Sequence, residues 1–161
     1  MRQVAACEIL RERIVHAQAV YARSLDDNGG EGWADCFAED CFYIVTTAEN
    51  HQNGMMAGLM YADSKGMLKD RIAALKEANI YERHSYRHVM GQPLIARRDG
   101  DLVYAETPFM VARVMRTGET SLFATGRYLD CYVVTQDSIL LQERKVVCDS
   151  SRIDTLLALP L

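Results

Sequence analysis

The chain has 161 residues, 49% of them hydrophobic and 25% charged, with a net charge of -4. That length predicts one domain over 1–161, and that composition predicts a packed core rather than a disordered chain. The acidic balance and the lack of any Lys/Arg run argue against a nucleic-acid partner; no apolar run approaches the ~20 residues that span a bilayer, and Glu8, Arg11, Glu12 and Arg13 break up any signal-peptide core, so the cytoplasm is the expected location.

Leu10, Ile14, Ala17, Tyr21 and Leu25 fall at helical spacing and predict an amphipathic first helix. Asp26-Asp27-Asn28-Gly29-Gly30 ends it, because Asn and Gly tolerate the backbone of a helix stop. Trp33 and Phe37, one turn apart, suggest a short second helix, and the β-formers Cys41-Phe42-Tyr43-Ile44-Val45 a short strand. Residues 46–62 read as a long loop, polar at first and then spaced by glycine. A third helix is expected over about 64–79, capped by Asp63 or Ser64 and burying Leu68, Ile72 and Leu75. Extended segments follow at 86–90 and 94–97, split by Gly91-Gln92-Pro93, with a hairpin turn at Arg98-Asp99-Gly100-Asp101. Long strands at about 102–116, 119–135 and 138–148 complete the pattern, joined at Thr117-Gly118 and near Gln136-Asp137, before a short apolar tail at 154–161.

Helices first and antiparallel strands after make an α+β pattern rather than alternating βαβ. A strongly curved antiparallel sheet wrapped around the N-terminal helices would bury the first and third helix stripes on its concave face. The strands are apolar on both faces, which an ordinary half-solvated sheet is not. Phe109, Val111 and Met115 oppose Met110, Ala112 and Val114; Phe123, Leu129, Cys131 and Val133 oppose Leu122, Ala124, Tyr128, Tyr132 and Val134. The second face therefore calls for a cover, and the expected cover is another protein chain.

Catalytic signatures are sparse. Five cysteines at irregular spacing, with no CxxC, read as reduced thiols, and Cys41, Cys131 and Cys148 sit in apolar runs that bury them. His84 and His88 form the one histidine pair at a ligand-like spacing, but on a strand four residues span about 13 Å and cannot grip one ion. No Cys-x-His pair is present for a Rieske-type cluster, and no dinucleotide, phosphate-loop or GxSxG motif occurs. Tyr43, Asp63, His84 and His88 could line a pocket at the open end of the sheet, with a His–Asp base and a Tyr donor. The plainer reading, which is preferred, has Asp63 capping the third helix, Tyr43 in the core and both histidines facing solvent or another subunit. Arg71 lies within the third helix, and Arg127, Asp130 and Arg144 lie mid-strand; charges at such positions must be paired or reach an interface.

Four segments carry a resemblance: YADSKGMLKDRIAAL (61–75), YERHSYRHVMG (81–91), TPFMVARVMRTGET (107–120) and FATGRYLD with LLQERKVVCDS (123–130 and 140–150). Together they resemble the small (beta) subunit of aromatic ring-hydroxylating dioxygenases, the Rieske non-haem iron oxygenases, and the ending CDSSRIDTLLALPL points to the branch acting on aromatic carboxylates. Within it a salicylate-type enzyme is favoured and a terephthalate-type enzyme comes next. The resemblance implies a cone-shaped fold of the nuclear transport factor 2 and ketosteroid isomerase type. It implies a trimer of this chain within an α3β3 assembly, a large (alpha) subunit holding the Rieske 2Fe-2S cluster and the mononuclear iron, and, indirectly, a ferredoxin and a reductase supplying electrons from NADH. It carries over no catalytic, cofactor or metal residue to this chain. The role implied is that of a non-catalytic structural subunit in aromatic catabolism, with Arg71, Arg127, Asp130 and Arg144 as interface or buried polar support. The alternatives are a stand-alone dehydratase or isomerase using His84 and Asp63, and a ligand-binding module on the same fold.

Overall fold

The computed structural model describes residues 2–77, 84–152, 157 and 159–161, with side chains from residue 7 onward. The predicted last turn of the third helix at 78–79 and parts of the apolar tail (154–156 and 158) lie outside the described residues.

The first helix, α1, spans Arg2–Asp26. It buries Leu10, Ile14, Tyr21 and Leu25, and Gln18 with them. The helix ends where expected: the Gly30 N–H donates back to the Ser24 carbonyl (2.8 Å), and Gly30 has φ +89°. A side chain at Gly30 would also strike the Cδ1 of Ile72, so this turn packs directly on the third helix.

The expected second helix is a single 3-10 turn, Trp33–Cys36, and Phe37 already opens the first strand, β1, Phe37–Thr47. Aromatic packing decides this. With Phe37 extended, its ring meets Trp33 edge-on at 5.4 Å and Tyr43 at 5.9 Å, and all three rings are fully buried. The stretch 46–62 is not all loop. It holds a short helix, α2 (Ala48–Gln52), capped by the Thr47 hydroxyl, which accepts from the Asn50 N–H at 3.1 Å, and a short strand, β2 (Met60–Ala62). The third helix, α3, spans Lys65–Glu77 and is capped by Ser64, whose hydroxyl accepts from the Met67 N–H at 3.4 Å; it buries Leu68 and Ile72. Asp63 takes no part in the cap.

The remaining strands are β3 (His84–Met90), β4 (Leu94–Asp99), β5 (Leu102–Met115), β6 (Thr120–Val134) and β7 (Ile139–Cys148). Their order is β2-β1-β7-β6-β5-β3, and β4 pairs with the first half of the same β5 edge whose second half carries β3. The sheet is antiparallel throughout except for β1 and β7, which run parallel from Tyr43↔Arg144 to Thr47↔Cys148. The sheet is thus antiparallel-rich, as expected, and the one parallel pair joins strands far apart in the sequence, with the whole intervening fold as their crossover.

Two irregularities set the faces of the long strands. Val111 pairs with Ala124 and Ala112 with Leu122, so Phe123 is an extra residue on β6. This bulge reverses the alternation expected for the start of β6. Phe123 turns inward and stacks on Tyr86 at 5.2 Å, and Leu122 is left 65% exposed. Similarly, Cys131 pairs with Glu143 and Tyr132 with Leu141, making Gln142 the extra residue on β7; its side chain donates to the Asp40 carbonyl of β1.

The concave face packs on α1, the 3-10 turn and α3 around Trp33, Phe37, Tyr43, Tyr86, Tyr128 and Val146. The outer face is partly covered by the chain itself. Ile44 and Val147 are buried yet lie apart from this core. The connection between α2 and β2 folds over Ile44: the Thr46 hydroxyl donates to the Ala57 carbonyl (2.8 Å), the Leu59 N–H donates to the Val45 carbonyl (2.7 Å), and a Cβ at Gly58 would strike the Ile44 side chain. Farther along the sheet, Val89 and Met110 are direct cross-strand partners and both remain about half exposed.

Candidate functional site

Two polar assemblies are built into the interior, and neither is the cluster that sequence spacing suggested. The first centres on Arg144, which lies on β7 opposite Asp130 of β6. Both side chains are fully buried, and they form a two-pronged pair: Nε and Nη2 donate to the two carboxylate oxygens, each at 2.8 Å. The Tyr132 hydroxyl also donates to Asp130 (2.9 Å). Gln18 of α1 reaches the same group, donating to the Thr107 hydroxyl (2.7 Å) and lying 3.4 Å from the Tyr132 oxygen. The guanidinium is clamped between the rings of Tyr21 and Tyr128, with its central carbon 4.0 Å from each centroid. Burial is the largest influence and works against its charge, but the Asp130 carboxylate together with Tyr132 and Tyr21 outweighs burial and holds the Arg144 pKa well above its ordinary value. Burial raises the Tyr132 pKa, and the neighbouring Asp130 charge adds to it, so this hydroxyl stays protonated and can serve as a donor.

The second assembly joins β3 to the end of α1. The His88 ring places Nδ1 2.6 Å from an Asp26 oxygen, and the His88 backbone N–H donates to the other oxygen at 2.8 Å. Both side chains are essentially buried, and the His88 Nε2 is buried without a hydrogen-bond partner. A His–Asp pair therefore exists, but Asp26 supplies its carboxylate. Asp63 is exposed and accepts from Tyr61 at 3.3 Å. The Tyr43 hydroxyl is engaged by Leu161, donating to its carbonyl (2.9 Å) and accepting from its N–H (3.1 Å). His84 is half-buried and packs against the Tyr86 ring at 5.0 Å. The four-residue pocket of Tyr43, Asp63, His84 and His88 does not form, because each of Tyr43, Asp63 and His88 is committed to a different partner.

Of the other charges singled out in the sequence, Arg71 is half-buried on α3 and donates to the Leu157 carbonyl (3.1 Å), tying the tail to the helix. Burial lowers its pKa, with Tyr43 opposing. Arg127 is not buried support: it faces outward, nearly half exposed, and pairs with Glu106 on the neighbouring strand at 3.5 Å. The strands pack tightly beside it at Gly126, where a Cβ would run into the Val147 carbonyl oxygen.

Sequence reasoning missed Asp26 and Gln18. Asp26 looked like part of a helix-ending turn, and Gln18 is a polar residue at a position of the apolar stripe. The only signal for Gln18 is its helical register with Ile14, Tyr21 and Leu25. Among the described residues, no group of three or more His, Cys, Asp or Glu side chains is placed to hold a metal ion. All five cysteines are free, with Cys41, Cys131 and Cys148 buried as their apolar surroundings predict. No helix among the described residues is long and apolar enough to cross a membrane.

The comparisons with known proteins are consistent with one another. A family described as "Ring hydroxylating beta subunit" matches residues 21–155. The chain is 51% identical to the beta 2 subunit of the terminal oxygenase component of terephthalate 1,2-dioxygenase from a Comamonas species, over 92% of this chain and 97% of that one. It is 37% identical to the anthranilate 1,2-dioxygenase small subunit of Burkholderia cepacia, over 88% of each. A crystal structure assigned to the beta subunit of an aromatic-ring-hydroxylating dioxygenase of Novosphingobium aromaticivorans superposes with a TM-score of 0.89 at 38% identity, covering 97% of this chain and 99% of that one. The same fold, at 18% identity and a TM-score of 0.70, occurs in the benzoate 1,2-dioxygenase beta subunit of Burkholderia mallei, over 84% of this chain and 88% of that one.

Proposed function

The chain belongs to the family of ring-hydroxylating dioxygenase beta subunits, and from that premise we propose that it is a non-catalytic structural subunit of an oxygenase acting on an aromatic carboxylate. As a small subunit it is part of an oxygenase complex in the breakdown of aromatic compounds. The observation that carries the substrate class is the 51% identity to a terephthalate dioxygenase subunit across nearly its whole length. This moves the preferred substrate from a salicylate-type to a terephthalate-type acid.

The structural role is supported by what fills the interior. The concave side, where a curved sheet could leave a reaction cavity, is occupied by stacked aromatic rings and by Leu161, which Tyr21 and Tyr43 hold through its carbonyl. The Arg144–Asp130 pair is sealed under two tyrosine rings and braces adjacent strands. In this reading the large subunit supplies the Rieske cluster and the mononuclear iron, ferredoxin and reductase deliver the electrons, and the complex works in the cytoplasm. Association into a trimer within α3β3 is supported by the half-exposed Val89–Met110 pair on the outer face, apolar surface that a neighbouring subunit would cover.

The competing reading, a dehydratase or isomerase in its own right, now rests on His88 and Asp26, since their geometry is that of a base and its orienting carboxylate. The test is turnover by the assembled oxygenase carrying His88→Gln or Asp26→Asn in this chain. Hydroxylation of terephthalate per assembled complex should match the wild type within about twofold, the fall expected for a general base being 10²–10⁴-fold. A loss of that size in a complex of normal composition would overturn the structural assignment.

A further inference from the structure

Among the described residues, exposed apolar side chains gather in two separate groups. One lies on the outer face of the sheet: Val89 of β3 pairs with Met110 of β5, and Leu122 of β6 pairs with Ala112, the next outward residue of β5. The other lies at the opposite end of the same sheet, where Met55, Met56 and Leu59 of the α2–β2 connection stand exposed beside Tyr61 of β2. Tyr61 pairs with Ile44, so both groups look out from the outer face. From β5 to β2 the order runs through β6, β7 and β1, which is four strand spacings or about 19 Å. The exposed Ile9, Val15 and Val20 of α1 make no third group: roughly 16 Å of helix separates Ile9 from Val20, and Val15 faces another way.

A ring of identical subunits needs two such surfaces. Rotation repeats one contact around the ring, so a contact away from the axis joins two different patches rather than one patch to itself. The side-chain types suit the task, since methionine, tyrosine and arginine are favoured in interfaces and methionine adapts its shape to what it meets. Charge then decides the pairing. Glu49 and Asp63, exposed beside the 55–61 surface, have no cation partner among the described residues. Beside the strand surface stand Arg87 and Arg127, 60% and 46% exposed. The carboxylates near them are already engaged: Asp27 by Arg87 (3.2 Å), Glu106 by Arg127 (3.5 Å) and Asp149 by the Thr125 hydroxyl (2.8 Å). Two 55–61 surfaces face to face would crowd their carboxylates together, and two strand surfaces would set arginine against arginine. One of each brings acid to cation.

We propose that the chain trimerises head to tail: Val89, Met110 and Leu122 of one copy pack on Met55, Met56 and Tyr61 of the next, with Arg87 and Arg127 set towards the neighbour's Glu49 and Asp63. The proposal rests on the α3β3 reading above and adds to it the surfaces that meet. The large subunit then takes a surface outside both groups.

The test uses the complex co-expressed with the large subunit and grown with photo-methionine, a diazirine analogue built in at methionine positions without any mutation. On irradiation each diazirine joins to a group beside it. The expected product is a covalent pair of small subunits, at twice the 18.2 kDa mass of the chain. Peptide mapping should link Met55 or Met56 to β3, β5 or β6 of the sister chain, and Met110 to the sister's residues 55–61. The ~19 Å between the two groups keeps this link from forming within one chain. Met110→Leu should remove the links made from position 110 and leave those made from Met55 and Met56. Native mass spectrometry of the same complex separates this proposal from the reading beneath it: a complex without three copies of each subunit would remove both. In a complex of three and three, the proposal alone would be overturned by links from Met55, Met56 or Met110 to the large subunit. Links from either group to its own counterpart in a sister chain, which would put that group on the threefold axis, would overturn it too, as would the absence of a covalent pair of small subunits.

Discussion

At the scale of single residues, the decisive feature is a charge pair with no access to water. Arg144 and Asp130 satisfy each other with two hydrogen bonds, and Tyr132 and Gln18 extend the group to α1. Removing one partner strands the other as a bare buried charge. Asp130→Ala or Arg144→Met should therefore lower the unfolding free energy by about 3–5 kcal/mol each, and the double variant Asp130→Leu/Arg144→Met should lose far less than the sum. Urea titration of the three variants measures this; additive losses would mean that the pair is not coupled. The charges at 130 and 144 were legible in the sequence, because a carboxylate and an arginine in the middle of oily strands must find partners. Which residues complete the knot was not legible, since Gln18 and Thr107 are polar side chains that any surface could carry.

Alkaline behaviour belongs to the same scale. Burial pushes the Cys148 thiol up to about 12, with the adjacent Asp149 adding to it. Burial likewise raises the Tyr21, Tyr43, Tyr128 and Tyr132 hydroxyls. In the unfolded chain these groups lose their protons near their ordinary values, whereas in the folded chain they stay neutral. Their contribution is thus complete below the unfolded values and is lost as pH rises toward the folded ones. The urea midpoint should fall steadily between about pH 9 and pH 11, beyond the range where carboxylates and histidines titrate. A flat midpoint across that window would contradict the burial of these hydroxyls.

At the scale of elements, helix and strand periods gave most of the architecture: the three long strands lie within a residue or so of their expected bounds, α3 starts one residue from its expected start, and α1 stops at the expected turn. The failures have separate causes. Phe37 was drawn into a strand by ring packing, and Phe123 and Leu122 exchanged faces because of a bulge. A bulge leaves no residue-type signature in a single sequence, and it inverts every face assignment beyond it. The parallel pairing of β1 with β7 was equally hidden, since partners so far apart share no local pattern. Gly126 is the element-scale signal that did survive. Its missing side chain lets β6 approach the β7 backbone, and Gly126→Ala would push a methyl group into the Val147 carbonyl. Backbone cannot yield as a side-chain tip does, so we expect a loss at the upper end of the overpacking range, about 2–3 kcal/mol by chemical denaturation. A loss under about 0.5 kcal/mol, typical of an unconstrained surface site, would show that the two strands are free to separate there.

At the scale of the whole molecule, the two-sided oiliness of the sheet resolves into two covers and one patch left open. The helices cover one face, the α2–β2 connection covers Ile44 on the other, and Val89 with Met110 remains half exposed. The chain's membership in the beta-subunit family gives that remaining surface a reason, because a subunit is designed to be covered by its neighbours. The candidate chemistry was the least legible part of the sequence. The sequence offered a His–Asp pair through Asp63 only as the less favoured reading; the pair that forms uses Asp26, and depends on where the end of α1 meets β3. The claim that matters most is that this chain works as a scaffold joined to a large oxygenase subunit. Native mass spectrometry of the complex, purified through a tag on this chain after co-expression with that large subunit, tests it most directly. The account predicts one species with three copies of each subunit; recovery of this chain alone, with no large subunit bound, would contradict it.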